Sequence, residues 1–587
     1  MVKQLMKSIR EFKLATILTP TFVVGEVIIE ALIPFLISLL INDIKAGCDL
    51  SVILGYAWKL VVLSLLSLLC GYLAGIYCAE ASTGFAKNLR YDIFSNIQKF
   101  SFSNIDKFSS ASLVTRLTTD IQNVQMAFMM IIRTAVRAPL NLIFSFTMAY
   151  IMGGSMAVIF LIIIPFLGIG LYLIVRTVMP VFKKGFPLFD KITRIVEENV
   201  KGIRVVKSFV REDYEINKFD ETSNDIRKMF TRAEQIIALN NPLMQISIYA
   251  VMLFVLMFGS EMIIKTNGTS LDVGQLSTLM TYGFQIMVSL MMLSMVFVMI
   301  TFSEESCKRI VEVLNEKSSI SSKENAITEV KDGSIDFDHV RFKYSPTAER
   351  PVLENIDVHI KSGETIGIIG GTGSAKSSFV QLIPRLYDVT EGTVRVGKED
   401  VRDYDLVTLR DSVAMVLQKN VLFSGTIVDN IRWGNKDATL EEVKHVCHLA
   451  CADEFIEQMP DGYDTWIEQG GTNVSGGQKQ RLCIARALLK QPKILIMDDS
   501  TSAVDTKTDA IIRKAMKEYI PETTKIIIAQ RTSSVEDADR IIVLDGGKID
   551  AIGTSEELLK TNQIYREVYL SQNKQGTEEI AEEGGVR

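Results

Sequence analysis

The sequence predicts two fold classes in one chain: a membrane all-α domain of six spanning helices, followed by an α/β domain with a phosphate-binding loop. Three observations predict this division. Apolar runs long enough to cross a bilayer, about 20 residues each, recur up to about residue 303. The polar, Ser-rich stretch 314–333 has the composition of a linker. From Ser334 onward, strand and helix patterns alternate, which is typical of an α/β domain.

Composition limits the class of protein before any motif is considered. The chain has 587 residues, more than one domain usually holds, and 48% of them are hydrophobic. The net charge of −6 is spread along the chain, so we expect no nucleic-acid partner. The seven cysteines lack the spacing of metal ligands, and we interpret them as ordinary thiols.

The predicted spans also indicate the orientation of the chain in the membrane. An even number of spans places both termini on one side, and Lys and Arg concentrate in the loops on the cytoplasmic side. The loops 81–137 and 176–234 are rich in both, whereas the opposing loops carry only Lys45 and Lys265. We therefore expect a multi-pass protein of the cell membrane with both termini in the cytoplasm. The six spans are roughly 14–42, 55–80, 136–153, 156–178, 240–264 and 276–303.

The two Lys/Arg-rich loops are long and helical in pattern, so we interpret them as helices that continue into the cytoplasm. Each has a break where the chain turns back, at 100–107 and at 210–217. We expect such turns to contact the soluble half. The predicted domains are therefore 1–313 for the membrane part with its turns, 314–333 for the linker, 334–571 for the α/β part, and 572–587 for a disordered acidic tail.

The first motif of the α/β part is a predicted phosphate-binding loop. A buried strand runs into a Gly-rich loop and a helix, so that backbone N–H groups can surround phosphates. Lys376 adds a positive charge, and the Ser377 hydroxyl is placed to ligate Mg²⁺. Ala375 stands where Gly is expected; if the position requires a positive φ, its Cβ costs about 1 kcal/mol. The loop residues are Gly370, Gly371, Thr372, Gly373, Ser374, Ala375, Lys376, Ser377 and Ser378.

Two further motifs follow in the α/β part. The segment Val474-Ser475-Gly476-Gly477-Gln478 precedes a predicted helix. It fits a capping box, with Ser475 as N-cap and Gln478 three residues on, and also an anion-binding helix start offered to another subunit. An apolar strand over 494–499 then ends in Asp498 and Asp499.

The phosphate loop, the 475–478 segment, the 494–499 strand and Ser502-Ala503-Val504-Asp505, in this order, resemble the nucleotide-binding domain of ATP-binding-cassette (ABC) proteins. The six-span half resembles that of the ABC exporters, so the resemblance extends to about residue 570. It implies ATP and Mg²⁺ as cofactors. It also implies that Tyr344 stacks on adenine, Gln418 reaches Mg²⁺ and the attacking water, Asp498 holds Mg²⁺ through water, and Asp505 communicates between two ATP sites.

Two residues depart from the ABC pattern. Asp499 stands where the family has Glu, and it is one methylene too short to position the attacking water. Gln530 stands where the family has a His that contacts the γ-phosphate. The amide of Gln530 can hydrogen-bond there but cannot carry positive charge. The chain thus resembles the degenerate-site subunit of heterodimeric bacterial multidrug exporters. That resemblance implies a second, non-identical half-transporter chain. It also implies that the ATP site of that second chain is completed by Ser475, Gly476, Gly477 and Gln478 of this one.

The spans suggest what is transported. Glu26 and Glu30 lie on one face of the first span, and intramembrane carboxylates are usually functional. They suit a cationic amphiphile, or alternatively form an interhelical hydrogen bond. Met291 and Met295 in the sixth span suit a promiscuous apolar surface, or simple packing. We expect small hydrophobic or amphiphilic substrates, drugs or lipids. The alternatives are a homodimeric exporter with slow turnover and a regulatory ATP-binding subunit.

Overall fold

The computed structural model describes residues 1–345, 347–500 and 504–572, and the chain folds as two compact units. The first unit is Met1–Lys99 with Ser109–Glu316; the second is Phe100–Phe108 with the chain from Lys317 onward. The first predicted turn, which the sequence assigns to the membrane part, thus belongs to the same unit as the α/β part. Ser502 and Ala503 lie outside the described residues, as does the predicted acidic tail after Gln572.

The chain before the linker is helical. Among the described residues, five continuous helical stretches are long and apolar enough to cross a membrane. One of them, Ser110–Val181, holds the third and fourth predicted spans on either side of Gly153 and Gly154. The helices are α1 Val2–Leu5, α2 Lys13–Lys45, α3 Leu50–Ile97, α4 Phe102–Phe108, α5 Ser110–Thr115, α6 Ile121–Ile132, α7 Thr134–Gly153, α8 Val158–Lys201, α9 Ile203–Ser208, α10 Glu212–Ala238, α11 Asn240–Thr266 and α12 Val273–Asn315.

Several of these helices are too long for a bilayer alone. Helix α3 has 48 residues and α8 has 44. At a rise of 1.5 Å per residue, each is about 70 Å long, whereas the hydrocarbon layer is about 30 Å thick. Both helices must therefore extend well beyond the membrane, as the pattern of the two Lys/Arg-rich loops indicates.

Polar contacts join the first and last spanning helices. The Tyr282 hydroxyl donates to the Ala31 carbonyl at 2.6 Å, and Thr278 donates to the Pro34 carbonyl at 3.0 Å. Helix α12 begins at a capping box, in which Asp272 accepts from the backbone N–H of Gln275. These hydrogen bonds satisfy buried polar groups that would otherwise be costly in the membrane.

The second unit contains a six-stranded, mostly parallel sheet in the order β12-β11-β3-β10-β9-β6, a four-stranded antiparallel sheet in the order β2-β1-β4-β5, and the pair β7-β8. The strands are β1 Ile335–Phe342, β2 Leu353–Ile360, β3 Thr365–Ile369, β4 Glu391–Val396, β5 Glu399–Asp400, β6 Val413–Val416, β7 Gly425–Thr426, β8 Trp466–Ile467, β9 Ile494–Asp498, β10 Thr524–Ile528, β11 Arg540–Asp545 and β12 Lys548–Gly553.

Helices surround these sheets. They are α13 Lys376–Gln381, α14 Leu406–Asp411, α15 Ile427–Arg432, α16 Leu440–Leu449, α17 Asp453–Ile456, α18 Gly476–Leu489, α19 Thr506–Tyr519, α20 Ser555–Thr561 and α21 Gln563–Gln572. Strands β9 and β10 are buried along their whole length, as parallel strands covered on both faces are. The parallel neighbours β3, β10 and β9 end at one edge of the sheet, which is where ligands bind in such folds.

Candidate functional site

The phosphate loop lies between β3 and α13 and is wrapped around its own lysine. The Lys376 ammonium donates to the carbonyls of Gly370 at 2.7 Å and Gly371 at 2.9 Å, and to Ser374 Oγ at 3.3 Å. Burial lowers the pKa of the Lys376 amine, and the carboxylates of Asp498 and Asp499 oppose that shift. The loop therefore holds a cation at the start of a helix, an arrangement suited to phosphate.

Ala375 adopts the left-handed conformation, with φ 71° and ψ 21°. The position therefore has the positive φ at which a Cβ is expected to be costly. An L-residue in this conformation costs about 1 kcal/mol or more, because its Cβ crowds the following carbonyl oxygen. The strain is present in the folded loop itself, so it belongs to the cost of folding.

A cavity of about 470 Å³ lies at the carboxyl ends of the parallel strands and brings most of the predicted site together. Its lining includes the loop 370–378 with Gln418, Asp498, Asp499 and Gln530. The Ser377 hydroxyl hydrogen-bonds to Asp498; burial raises the pKa of that carboxyl and the hydrogen bond partly offsets the rise. A hydroxyl and a carboxylate in contact are hard oxygen ligands of the type Mg²⁺ prefers, so the residues fit an ATP–Mg²⁺ complex.

Asp499 is held by two amides from distant parts of the chain. Its Oδ2 accepts from Gln530 Nε2 at 2.8 Å and from Gln418 Nε2 at 3.2 Å. Asp499 is only 8% exposed, and its backbone is in the left-handed region with φ 49°. The two departures from the ABC pattern are therefore in direct contact with each other.

Gln572 supports this arrangement from the last described residue of α21. Its side chain donates to the Gln530 carbonyl at 2.7 Å and accepts from the Thr532 backbone N–H at 2.8 Å. The sequence assigns Gln572 to the disordered tail; that assignment is wrong for this residue, because it ends a helix and is hydrogen-bonded. Its position in a polar stretch gives no signal of this contact.

The 475–478 segment forms the predicted capping box at the start of α18. Gln478 N–H donates to Ser475 Oγ at 3.3 Å, and Ser475 N–H donates to Gln478 Oε1 at 2.9 Å. Ser475 and Gly476 are exposed. Within the described chain, this segment does not line the cavity that contains Lys376 and Asp498.

Two other predicted residues have defined surroundings. The Tyr344 ring is 45% exposed, and its hydroxyl lies 2.8 Å from Ser378 Oγ on α13. Tyr344 is outside the lining of the 470 Å³ cavity. Asp505 caps α19 by accepting from the Thr508 N–H at 3.0 Å, and hydrogen bonds from Thr508 lower the pKa of its carboxyl.

The predicted substrate residues fall in two separate places. Glu26 and Glu30 both pair with Arg137 of α7, at 3.1 and 2.7 Å, so they form the interhelical contact that the sequence leaves as an alternative. Arg137 lies inside the predicted third span, and a cation there was the available signal for this pairing. Gly71 leaves room for the contact, since a Cβ there would lie 2.9 Å from Glu26 Oε1.

Met291 and Met295 line a different cavity, of about 300 Å³, between α8, α10, α11 and α12. Its lining is almost entirely apolar and includes Met179 and Met292. The polar exceptions are Ser294 and Asn240, and the buried Oδ1 of Asn240 has no hydrogen-bond partner among the described residues. Sequence reasoning missed Asn240, because one Asn at a helix start has an ordinary capping explanation.

Comparisons with known proteins agree with both halves of the fold. Residues 16–302 match the family described as "ABC transporter transmembrane region", and residues 353–502 match "ABC transporter". The chain is 34% identical over 554 residues to the uncharacterized ABC transporter ATP-binding protein YfiB of Bacillus subtilis (strain 168), covering 94% of this chain and 96% of that protein.

It is also 30% identical over 521 residues to the ATP-dependent lipid A-core flippase of Photobacterium profundum, covering 86% and 88% of the two chains. A solved structure titled "Structure of a bacterial Atm1-family ABC exporter with ATP bound" has the same fold, with a TM-score of 0.83, 24% identity, and 96% and 98% coverage. The chain therefore belongs to the ABC exporters: it is an integral membrane half-transporter fused to a nucleotide-binding domain that couples ATP hydrolysis to transport.

Proposed function

We propose that this chain is one half of a heterodimeric exporter of amphiphilic or hydrophobic compounds across the cell membrane, with both termini in the cytoplasm. Its own phosphate loop holds ATP and Mg²⁺ with little hydrolysis. Its 475–478 segment completes the active site of a second, non-identical chain.

The observation that carries this proposal is the contact of Asp499 with two amides. A general base must accept a proton from the attacking water, and a positioned base contributes about 100-fold or more to such reactions. Asp499 Oδ2 instead accepts from Gln418 and Gln530. Gln530 adds no positive charge beside a γ-phosphate, where transition-state charge develops.

The need for a second chain is supported by two exposed surfaces. The start of α18 presents Ser475 and Gly476 to solvent with its cap already formed. At the second predicted turn, Phe209 and Val210 are 72% and 81% exposed. Exposed apolar groups of this kind mark interaction surfaces. We propose that this turn contacts the soluble half of the second chain.

The substrate class rests on the cavity around Met291 and Met295. Flexible, polarizable methionines adapt to apolar substrates of different shapes, and Asn240 Oδ1 offers one acceptor to a donor group. Because the lipid A-core flippase is a relative, lipid-like amphiphiles belong in this class. Glu26 and Glu30 would bind a cationic substrate only in competition with Arg137.

Two variants in the same cassette test the proposal. Asp499→Asn keeps the size of the side chain and removes its charge, while Gly476→Asp places a carboxylate where it repels a phosphate. In the complex with its second chain, we expect Asp499→Asn to change steady-state ATP hydrolysis less than about twofold. Gly476→Asp should reduce it about 100-fold, the scale of a lost oxyanion contact.

The chain purified without the second chain should hydrolyse ATP very slowly. Robust hydrolysis by the isolated chain that Asp499→Asn abolishes would contradict the proposal. That result would favour a homodimer with a competent site.

A further inference from the structure

An aromatic cluster joins the nucleotide side of the cassette to the first turn. Tyr387 stands edge-on to Tyr344, with ring centroids 5.0 Å apart and an interplanar angle of 88°. It also contacts Phe342 at 5.7 Å and Phe102 of α4 at 6.0 Å. All four residues lie in the second compact unit, which includes Phe100–Phe108.

The two tyrosine hydroxyls of this cluster have different partners. The Tyr344 hydroxyl lies 2.8 Å from Ser378 Oγ and donates to Gln381 Oε1 at 3.3 Å, both on the helix that follows the phosphate loop. The Tyr387 hydroxyl donates to Asp106 Oδ2 at 2.9 Å. Burial and the Asp106 carboxylate raise the pKa of the Tyr387 hydroxyl, so it stays a donor.

The turn that carries Asp106 is fixed to the chain that enters the cassette. Ser101 Oγ lies 2.7 Å from Ser319 Oγ. Asn104 donates to the Lys317 carbonyl at 3.2 Å and accepts from the Ser319 N–H at 3.1 Å. A shift of Tyr387 would therefore act on a segment that these hydrogen bonds hold in place and that α5 and α6 follow in the sequence.

We propose that Tyr387 is a positioning residue that links the adenine-stacking ring of Tyr344 to the first turn through Asp106. The proposal rests on Tyr344 receiving the base, which is part of the proposed site. A base stacked on the exposed ring of Tyr344 shifts its edge-on partner, and the hydroxyl of that partner holds Asp106. Gln418 instead contacts Asp499 in the cavity lined by the phosphate loop. We therefore expect the base and the phosphates of the nucleotide to be sensed by different residues.

Hydrogen exchange on the full transporter complex in nanodiscs tests this link, with Mg²⁺ and either ATP or inorganic tripolyphosphate, which has no base. Both ligands should protect the phosphate loop 370–376. Only ATP should slow exchange in the turn 100–108, by about threefold, the scale of one hydrogen bond. Protection of the loop shows that each ligand has bound.

The Tyr387→Phe variant removes one hydroxyl and keeps the ring. It should bind ATP at the phosphate loop but lose the ATP effect on the turn, and Asp106→Ala should do the same. Asp106→Asn retains an acceptor oxygen and should restore the effect. Tyr404→Phe is the matched control, because the Tyr404 hydroxyl donates to the Val396 carbonyl at 2.9 Å, away from the turn.

Equal slowing of the turn by ATP and tripolyphosphate would overturn the link, as would an unchanged ATP effect in Tyr387→Phe. A phosphate loop that ATP does not protect would refute the nucleotide site itself, and this proposal with it. The two failures are therefore distinguishable.

Discussion

Ala375 shows how one backbone angle changes the interpretation of a motif. A Cβ at this position of the phosphate loop raises the question of weakened ATP binding. Because Ala375 has φ 71° while the loop already surrounds Lys376, the strain is borne by the folded protein before any ligand binds. The added methyl group is therefore expected to affect the stability of the cassette more than its affinity.

Replacing Ala375 by Gly should stabilise the cassette by up to about 1 kcal/mol, because relief of left-handed strain is partly offset by the greater freedom of glycine in the unfolded chain. The Kd for ATP should change less than about threefold, since this is under 1 kcal/mol of binding free energy. Denaturant unfolding and equilibrium nucleotide binding measure the two quantities.

Lys398→Gly is the matched control, because Lys398 is an exposed residue with φ 73° outside the site. It should give a similar gain in stability. A tenfold tighter Kd in Ala375→Gly alone would contradict the assignment of the strain to folding.

The residues of the candidate site could be named from the sequence, but their contacts with one another could not. Motif spacing marks the positions of Lys376, Asp498, Asp499 and Gln530, and all four line the same cavity. The shared hydrogen bonds of Asp499 join segments that are 81 and 31 residues away along the chain. Local sequence contains no information on which amide will face which carboxylate oxygen.

At the scale of elements, hydropathy locates helices but not their ends. The second span is predicted to finish near residue 80, whereas α3 continues to Ile97. Hydropathy records only the segment in lipid, and the rest of the helix is polar. The end of α21 is missed for a related reason: Gln572 lies in a polar stretch, and the contact that orders it is with Thr532, 40 residues away.

Gln572→Ala should loosen the segment that carries Gln530. The Gln530 carbonyl and the Thr532 N–H each lose a hydrogen bond, and two such bonds are worth about 2 kcal/mol. Hydrogen exchange in the segment 529–535 should therefore become about 30-fold faster. Gln563→Ala in the same helix removes only a contact with Glu567, at 2.7 Å on the surface, and should leave this exchange unchanged. Equal effects of both variants would show that the helix as a whole, not this contact, stabilises the segment.

At the scale of the whole molecule, the sequence predicted an exporter fold of fused membrane and ATPase halves, and the family comparisons confirm it. The order of the motifs and the apolar runs before them are sufficient for that, because both can be recognised in local sequence. Whether Glu26, Glu30, Met291 and Met295 face a substrate or a neighbouring helix could not be predicted. Which faces of α2, α7 and α12 meet depends on packing over more than 100 residues of separation, as the Glu30–Arg137 pair shows.

Met291→Ala with Met295→Ala should shift the half-maximal concentration of amphiphilic compounds that stimulate ATP hydrolysis by about fivefold, because apolar contacts with the bound compound are lost. The shift should differ between compounds, since each packs differently. Met299→Ala on the same helix is outside the cavity lining and should give no shift. Unchanged values for every stimulating compound in the double variant would remove this cavity from the substrate path.

The hydrogen bonds from two amides to Asp499 also affect how long a nucleotide stays bound. A nucleotide that is hydrolysed leaves its site as ADP and phosphate, but one that is not hydrolysed leaves only by dissociating intact. If the hydrogen bonds from Gln418 and Gln530 keep Asp499 from accepting a proton, the off-rate of ATP sets how long this site stays occupied. ATP would then remain bound here through several turnovers of the second chain's site. The residence time of this ATP, rather than its hydrolysis, would set how often both sites are empty together.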